Sequence, residues 1–257
     1  MEGDYALELI RNGKRLDNRK FDEFRKIEIE TGIIKNAEGS ARVKIGDTDV
    51  IAGVKLNLGK PFPDTPEEGV LIVNAEFTPL ASPDFESGPP DENSVELARV
   101  VDRGLRESKC IDIGKLCIKP KEKVWSVFID IHIINHQGNL LDAAALAGIA
   151  ALHNAQMPKL EGEEDEAQIV RGEYTGKLPM KCKPINVQVC KVDDKLFVDP
   201  NAEEEKIAQA SLSISVRDDE RICALQKEGE HEITAAEIEK MLDMAIKKSK
   251  ELRKLLG

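Results

Sequence analysis

The stretch from residue 123 to residue 155 constrains the fold most, because a strand pattern and a helix pattern are joined there by a glycine. Residues 123–134 alternate apolar and mixed positions, which is typical of a strand with one buried face. Residues 139–155 are rich in alanine, and small side chains allow a helix to lie close against a sheet. We therefore predict a layered fold in which this strand turns at Gly138 into a closely packed helix.

Strand and helix patterns alternate along the preceding part of the chain. An antiparallel meander is predicted for residues 25–58, where β-rich runs are separated by turns at Gly39 and Gly46. A further strand is predicted at residues 70–77. A helix should follow from about Asp91–Ser94 to Lys109.

The last part of the chain again places strands before a helix. Four strands are predicted between residues 184 and 229, and Thr234 with Glu237 forms a capping-box pattern before the closing helix. We therefore predict an α+β fold with two similar sheet-and-helix lobes packed in one compact unit. The first lobe is predicted to span residues 1–180, with an N-terminal helix and a long loop at 156–183 that carries at most one short strand, at residues 167–174, and the second residues 181–257.

Charge limits the partners that the chain can attract. Lysine and arginine total 37 and aspartate and glutamate total 48, so the net charge of −11 repels polyanions at long range. The simplest interpretation is that this acidity serves solubility. Any contact with a nucleic acid must then be local, or shared with a basic partner.

Neither a membrane segment nor a metal site is predicted. No run approaches ~18 uninterrupted apolar residues, and residues 1–25 carry charged side chains, so a cytoplasmic protein without membrane association is expected. The five cysteines include no CxxC pair, which favours reduced thiols over disulfides or a zinc site. The acidic run at residues 161–166 lacks the spacing of a calcium loop. No metal and no cofactor are expected.

One helix face carries a row of arginines. Arg99, Arg103 and Arg106 are spaced i, i+4 and i+7, so they project within about 60° of one another. We call these three residues the arginine face. Such an array suits phosphate or carboxylate. From the residues alone, a second interpretation is favoured: a solvated surface in which the arginines pair with acidic neighbours. These neighbours are Glu96, Asp102 and Glu107.

Three stretches resemble the RNase PH superfamily of phosphorolytic 3′-to-5′ exoribonucleases: "RLDNRKFDEFRKIEIETG", "GSARVKIGDTDVIAGVK" and "ELARVVDRGLRESKCID". Within that superfamily the chain most resembles the ring subunits of archaeal exosomes that lack an active site of their own. The resemblance implies an RNase PH-like fold, also described as ribosomal protein S5 domain 2-like.

The resemblance also implies that this chain has no catalytic residues. Active members carry a turn like "GGTRTA" that holds phosphate at a helix N-terminus, whereas this chain reads "GNLLDA", in which Leu140 and Leu141 cannot donate and Asp142 would repel phosphate. Ser211 stands where active members carry a general-acid aspartate, and a hydroxyl cannot replace that acid. A displaced acid among residues 203–205 stays open.

By resemblance, the arginine face contacts the phosphates of single-stranded RNA at the interface with a catalytic RNase PH-like partner. The expected assembly is a hexameric ring of three heterodimers with RNA-binding cap subunits. Two alternatives remain from the sequence. The chain is itself an active phosphate-dependent 3′-to-5′ exoribonuclease, or it is a stand-alone binding domain without a role in RNA metabolism.

Overall fold

The structure, a computed structural model, describes residues 2–162 and 167–257, with side chains from Tyr5 onward. Residues 163–166 lie outside this range, so most of the acidic run at 161–166 cannot be placed. Two sheets form the body of the molecule. No helix in the described part of the chain is long and apolar enough to cross a membrane.

The first sheet contains the predicted meander and the long alternating strand. Its main path runs β1-β2-β3-β6-β4, with β5 paired to β6 at one end. All its pairs are antiparallel except β4 with β6. The strands are β1 (Ile27–Thr31), β2 (Gly39–Ile45), β3 (Thr48–Gly59), β4 (Val70–Glu76), β5 (Cys117–Lys119) and β6 (Lys123–Asn135).

The second sheet contains the four strands predicted near the end of the chain, in the order β10-β9-β11-β12. Its neighbouring strands are antiparallel throughout. The strands are β9 (Ile185–Val192), β10 (Lys195–Val198), β11 (Ala210–Val216) and β12 (Ile222–Glu228).

Helices pack on these sheets and between them. The predicted capping box is present at the start of the last helix, where the side chains of Thr234 and Glu237 bond each other's backbone N–H. Among the described residues there are also two short 3-10 helices, Ile113–Leu116 and Lys254–Leu256. The α-helices are α1 (Glu2–Arg11), α2 (Glu92–Glu107), α3 (Leu140–Asn154), α4 (Ala202–Ile207) and α5 (Ala235–Arg253).

Helix α3 is the alanine-rich helix, and it lies at the centre. It packs on β2 and β3 of the first sheet and also contacts β9 of the second. The small side chains matter at Gly39, where an added Cβ would lie 2.7 Å from the Cα of Ala155. Because α3 touches both sheets, its N-terminal turn is held from both lobes.

Two features differ from the sequence predictions. The loop predicted for residues 156–183 is wrong in part. The one short strand expected at residues 167–174 is present within β8 (Gln168–Lys177), but it pairs with an unpredicted strand, β7 (Gln156–Glu161), in an antiparallel hairpin. Pro158 and two glycines in β8 hide the alternating pattern, and β8 is largely exposed. Helix α1 packs on α4 and β9 of the second sheet instead of the first, with Ile10 buried against Phe197.

Candidate nucleic-acid interface

Helix α2 holds the arginine face at the protein surface. The carboxylate of Asp91 caps the helix by accepting a hydrogen bond from the backbone N–H of Ser94 at 2.8 Å. The apolar side of the helix, with Leu97, Val101 and Leu105, is buried toward β4 and α3. The arginine face lies on the other side, and all three of its residues are exposed.

The three arginines differ in how they are held. Arg106 makes two hydrogen bonds with the carboxylate of Asp102, at 2.7 and 2.9 Å, and donates to the carbonyl oxygen of Leu71. Arg103 donates to the side-chain oxygen of Gln226 at 3.2 Å. Arg99 has neither an ion pair nor a hydrogen bond from its side chain among the described residues. The ion-paired interpretation therefore holds for Arg106 and not for Arg99 or Arg103.

A groove runs beside the arginine face. It has a volume of about 480 Å³ and lies between α2 and β4, whose outer edge pairs with no other described strand. Leu71, Val73 and Ala98 supply apolar wall, and the three arginines line the same groove. Positive charge, apolar surface and an open strand edge thus lie together on a protein that is acidic as a whole.

The turn between β6 and α3, which we call the glycine turn (residues 136–139), is buried and tightly packed at Gly138 and Asn139, whereas Gln137 is exposed. Gly138 has a φ of +88°, and an added Cβ would lie 2.5 Å from the backbone of Pro200 and Asn201. Asn139 follows in the left-handed region, with a φ of +58°. Arg25 donates to the carbonyl oxygens of Gln137 and Gly138 and so fixes the turn from the first lobe.

Asp142 does not face a phosphate site, contrary to the sequence interpretation. Its carboxylate is buried and accepts hydrogen bonds from the backbone N–H of Gln188 and the side chain of Asn186, both at 2.9 Å. The side chain of Asn139 donates to the same carboxylate. Burial raises the pKa of Asp142 to about 7 against the effect of these hydrogen bonds. Asp142 therefore ties α3 to β9 and joins the two lobes.

A cavity of about 510 Å³ opens beside the glycine turn, and we call it the turn cavity. Leu140 and Leu141 supply apolar wall where a phosphate site would need donors. Ser211 also lines it, accepting from Gln188 at 3.2 Å and donating to Glu228 at 3.5 Å. The described lining contains no lysine and no arginine.

The three glutamates at residues 203–205 have different surroundings. Glu203 pairs with Lys206 at the surface, and Glu204 is buried against Arg15. Glu205 lines the turn cavity and accepts a hydrogen bond from the backbone N–H of Asn139 at 2.5 Å. Burial raises the pKa of Glu205 to about 7.

Two side chains with a role here were missed by reasoning from sequence: Gln226 contacts Arg103 and Glu228 contacts Ser211. Strand register could have found Glu228, because it lies directly opposite Ser211 on β12. Glu205 is among the residues considered as a displaced acid, but its contact with the glycine turn was not predicted. No local pattern marks that contact or Gln226, since the partners are far away in the sequence.

The two-lobed fold and its two matched domains define the class. The pattern of the 3′ exoribonuclease family, domain 1 (RNase PH), matches residues 23–158, and that of domain 2 matches residues 182–248. The chain belongs to this RNase PH family of 3′ exoribonucleases.

Its relatives place it in the exosome branch of the family. The chain is 48% identical over 250 residues to the exosome complex component Rrp42 of Archaeoglobus fulgidus, covering 97% of this chain and 93% of that protein. It is 49% identical over 245 residues to Rrp42 of Methanothermobacter thermautotrophicus, covering 95% of this chain and 90% of that protein. The resemblance found in the sequence is thereby confirmed.

Solved structures of related chains support the same family and fold. A chain of the Archaeoglobus fulgidus exosome with RNA bound to the active site superposes with a TM-score of 0.90 at 47% identity, covering 100% of this chain and 98% of that one. A chain of an archaeal exosome core gives a TM-score of 0.87 at 45% identity, covering 99% and 96%. Rice Rrp46, at 17% identity and a TM-score of 0.71 over 94% and 98%, shares the fold. The predicted RNase PH-like α+β fold is confirmed.

Proposed function

We propose that this chain is a non-catalytic subunit of an exosome, a complex that degrades and processes RNA from the 3′ end. It binds the RNA backbone and shapes the active site of a catalytic RNase PH-like partner in a hexameric ring. One observation carries the proposal: Arg99 and Arg103 are exposed side by side on α2 without a carboxylate partner among the described residues. Unpaired guanidinium groups on an acidic protein are suited to local contact with phosphates.

The proposed RNA contacts are independent of base sequence. Guanidinium groups that bond phosphate oxygens fix the position of a strand but do not read its bases. Arg99 and Arg103 are the main candidates. Arg106 belongs to the same set, although it must share its guanidinium with Asp102. Gln226 steadies Arg103 from the second sheet.

The residues at the glycine turn support the proposal that this chain is not catalytic. Phosphorolysis needs a site for inorganic phosphate and a group that donates a proton to the leaving oxygen. Here Leu140 and Leu141 line the cavity in place of donors, and Ser211 has a hydroxyl in place of a carboxyl. The sequence of this chain thus lacks both groups at the positions where the family carries them.

One observation favours the alternative, an exoribonuclease active on its own. Glu205 and Glu228 line the turn cavity with Ser211, and burial raises the pKa of both carboxyl groups. Glu205, whose pKa is raised to about 7, could hold a proton near neutral pH and so act as a displaced acid. Such an acid would still lack a phosphate site, which is why we favour the non-catalytic function.

We further propose that three copies of this chain alternate with three copies of the catalytic partner, in the cytoplasm, with RNA-binding cap subunits above the ring. The similarity to chains of the archaeal exosome core supports this arrangement.

Reconstitution tests the assembly. Mixed with a catalytic RNase PH-like subunit, the chain should elute as a hexamer and degrade single-stranded RNA when phosphate is added. If the two chains elute separately, the stand-alone binding domain becomes the better explanation.

A further inference from the structure

We propose that a second RNA-binding surface lies beyond the C-terminal end of α2, where two lysine-rich segments of the chain meet. We call it the lysine patch and define it by residues 109–123 and 177–183. Its ligand is the phosphate backbone of single-stranded RNA, contacted a short distance along the strand from the arginine face. The inference rests on the proposed function, in which this chain holds RNA in the ring, and adds a separate site to it.

The lysine patch is basic on a protein that is acidic as a whole. Residues 109–123 contain five lysines and two acidic residues, and residues 177–183 contain three lysines and no acidic residue. The two segments together therefore carry a net charge of +6, whereas the whole chain carries −11. Such a cluster attracts a polyanion at short range, even where the net charge repels it at long range.

Backbone pairing brings the two segments together. Ile111 and Met180 form an isolated antiparallel bridge. Next to it, the backbone N–H of Lys181 donates to the carbonyl oxygen of Cys110 at 2.7 Å. Both Cys110 and Ile111 are buried, so the strip that joins the segments is anchored in the core. The lysines on either side of this strip are thus positioned by the fold.

The two acidic residues of the lysine patch cancel only part of its charge. Asp112 is shared by two lysines, because its carboxylate lies 2.8 Å from Nζ of Lys181 and 3.7 Å from Nζ of Lys115. The hydrogen bond with Lys181 lowers the pKa of Asp112, as a positive neighbourhood should. Glu122 pairs with Lys119 at 2.7 Å. Both carboxylates are therefore already engaged by lysines of the patch.

Three lysines of the patch have no carboxylate partner. Lys109, Lys121 and Lys177 are exposed, and none of them forms an ion pair or a side-chain hydrogen bond among the described residues. An ammonium group on a long side chain meets a phosphate as a point charge, so it binds the backbone of RNA without reading its bases. These three lysines are the ones expected to contact RNA.

The lysine patch continues from the arginine face, which favours RNA over an acidic protein segment as its ligand. Lys109 follows Arg106 by three residues, so their Cα atoms are at most about 11 Å apart and one RNA strand can reach both surfaces. A cation at position 109 also suits the C-terminal end of α2. The helix dipole does not account for Lys121, which lies in the turn between β5 and β6.

The salt dependence of RNA binding by the assembled ring tests the proposal. Replacing the three unpaired lysines together should weaken binding of single-stranded RNA roughly tenfold and reduce the slope of log affinity against log salt by about 2. All three are exposed, so thermal unfolding should not change. The substitutions are Lys109→Gln, Lys121→Gln and Lys177→Gln.

A matched control changes the charge equally at three other exposed lysines that have no ion pair among the described residues. It should leave the affinity and the slope as they are in the unaltered ring. The substitutions are Lys14→Gln, Lys35→Gln and Lys240→Gln.

Two results would overturn the proposal. The first is a slope in the lysine-patch variant equal to that of the control. The second is loss of ring assembly in that variant while the control still assembles, because the patch would then face a protein partner. The proposed function is tested separately: if Arg99→Ala combined with Arg103→Ala leaves RNA binding by the ring unchanged, that function loses its main support, whatever the lysine patch does.

Discussion

The arginine face and the surroundings of the glycine turn differ in whether their arginines are exposed or paired with carboxylates. On α2, Arg99 and Arg103 stand exposed, and their charge is not cancelled by a described carboxylate. Inside the protein the arginines are paired instead: Arg15 is buried against Glu204 on α4, and the partly buried Arg25, which also bonds the turn, pairs with Asp199. The backbone N–H of Asn139 is bonded to Glu205. The comparison contrasts guanidinium groups left exposed on α2 with guanidinium groups that are paired with carboxylates inside the protein.

The largest expected effect is on stability, at the buried ion pair of Arg15 with Glu204 on α4. Arg15→Ala leaves the buried Glu204 carboxylate without its ion-pair partner, so the free energy of unfolding should fall by about 3–5 kcal/mol. Arg99→Ala, at an exposed position, should change it by about 0.5 kcal/mol or less. Denaturant unfolding of the two variants measures both. Equal losses would mean that Arg99 is also structural, and the contrast between the regions would fail.

The next effect is on RNA binding. Arg99→Ala combined with Arg103→Ala should weaken RNA binding by the assembled ring roughly tenfold, because two phosphate contacts are lost. The slope of log affinity against log salt should fall by roughly 1 to 2. Arg221→Ala, an exposed arginine on the edge of the second sheet, is the matched control and should leave the slope unchanged. An unchanged slope in the double variant would remove the arginine face from the RNA site.

A pH effect should distinguish the turn from the face. The pKa of Glu205 is raised to about 7 from 4.5, so the folded protein binds a proton that the unfolded chain releases between these values. Stability from this group is therefore greatest at low pH and is lost as pH rises through 7. Going from pH 8 to pH 6 should stabilise the unaltered chain by about 1 kcal/mol more than Glu205→Gln. His136 shifts in the opposite sense and lies 3.9 Å from Glu205, so both proteins should carry His136→Gln to keep its titration out of the difference.

The smallest effect concerns Arg106. Asp102→Asn breaks its ion pair, which should cost about 0.3–0.5 kcal/mol of stability, as for other i,i+4 pairs. The released guanidinium should strengthen RNA binding by the ring about twofold. Glu107→Gln changes the charge equally on the same helix without touching that pair. If both variants bind RNA alike, Arg106 acts only through net charge.

Sequence reasoning recovered what depends on local periodicity. The exposed side of α2 follows from the spacing of Arg99, Arg103 and Arg106, and the start of α5 from Thr234 and Glu237. It failed where the partner is distant in sequence. Asp142 was expected to face an incoming anion, but it bonds Gln188 across the lobe interface. The hydrogen bond from the backbone N–H of Asn139 to Glu205 joins residues 66 positions apart, and no sequence pattern near residue 139 predicts it.

The pairing of β7 with β8 was missed for a different reason, although a short strand within β8 was predicted. The two strands pair only with each other among the described strands, and most of β8 is exposed, so its sequence shows little alternation. The packing of α1 on the second sheet depends on a contact between Ile10 and Phe197, which lie far apart in the sequence. The division of the chain into lobes at residue 180 remains a proposal.

The central claim is that this chain holds RNA but does not cleave it. Its most direct test is to incubate the isolated chain with single-stranded RNA and inorganic phosphate and to measure nucleoside diphosphates. The account predicts none above a phosphate-free control, and their release once a catalytic RNase PH-like partner is added. Nucleoside diphosphates formed by the isolated chain in a phosphate-dependent manner would contradict it.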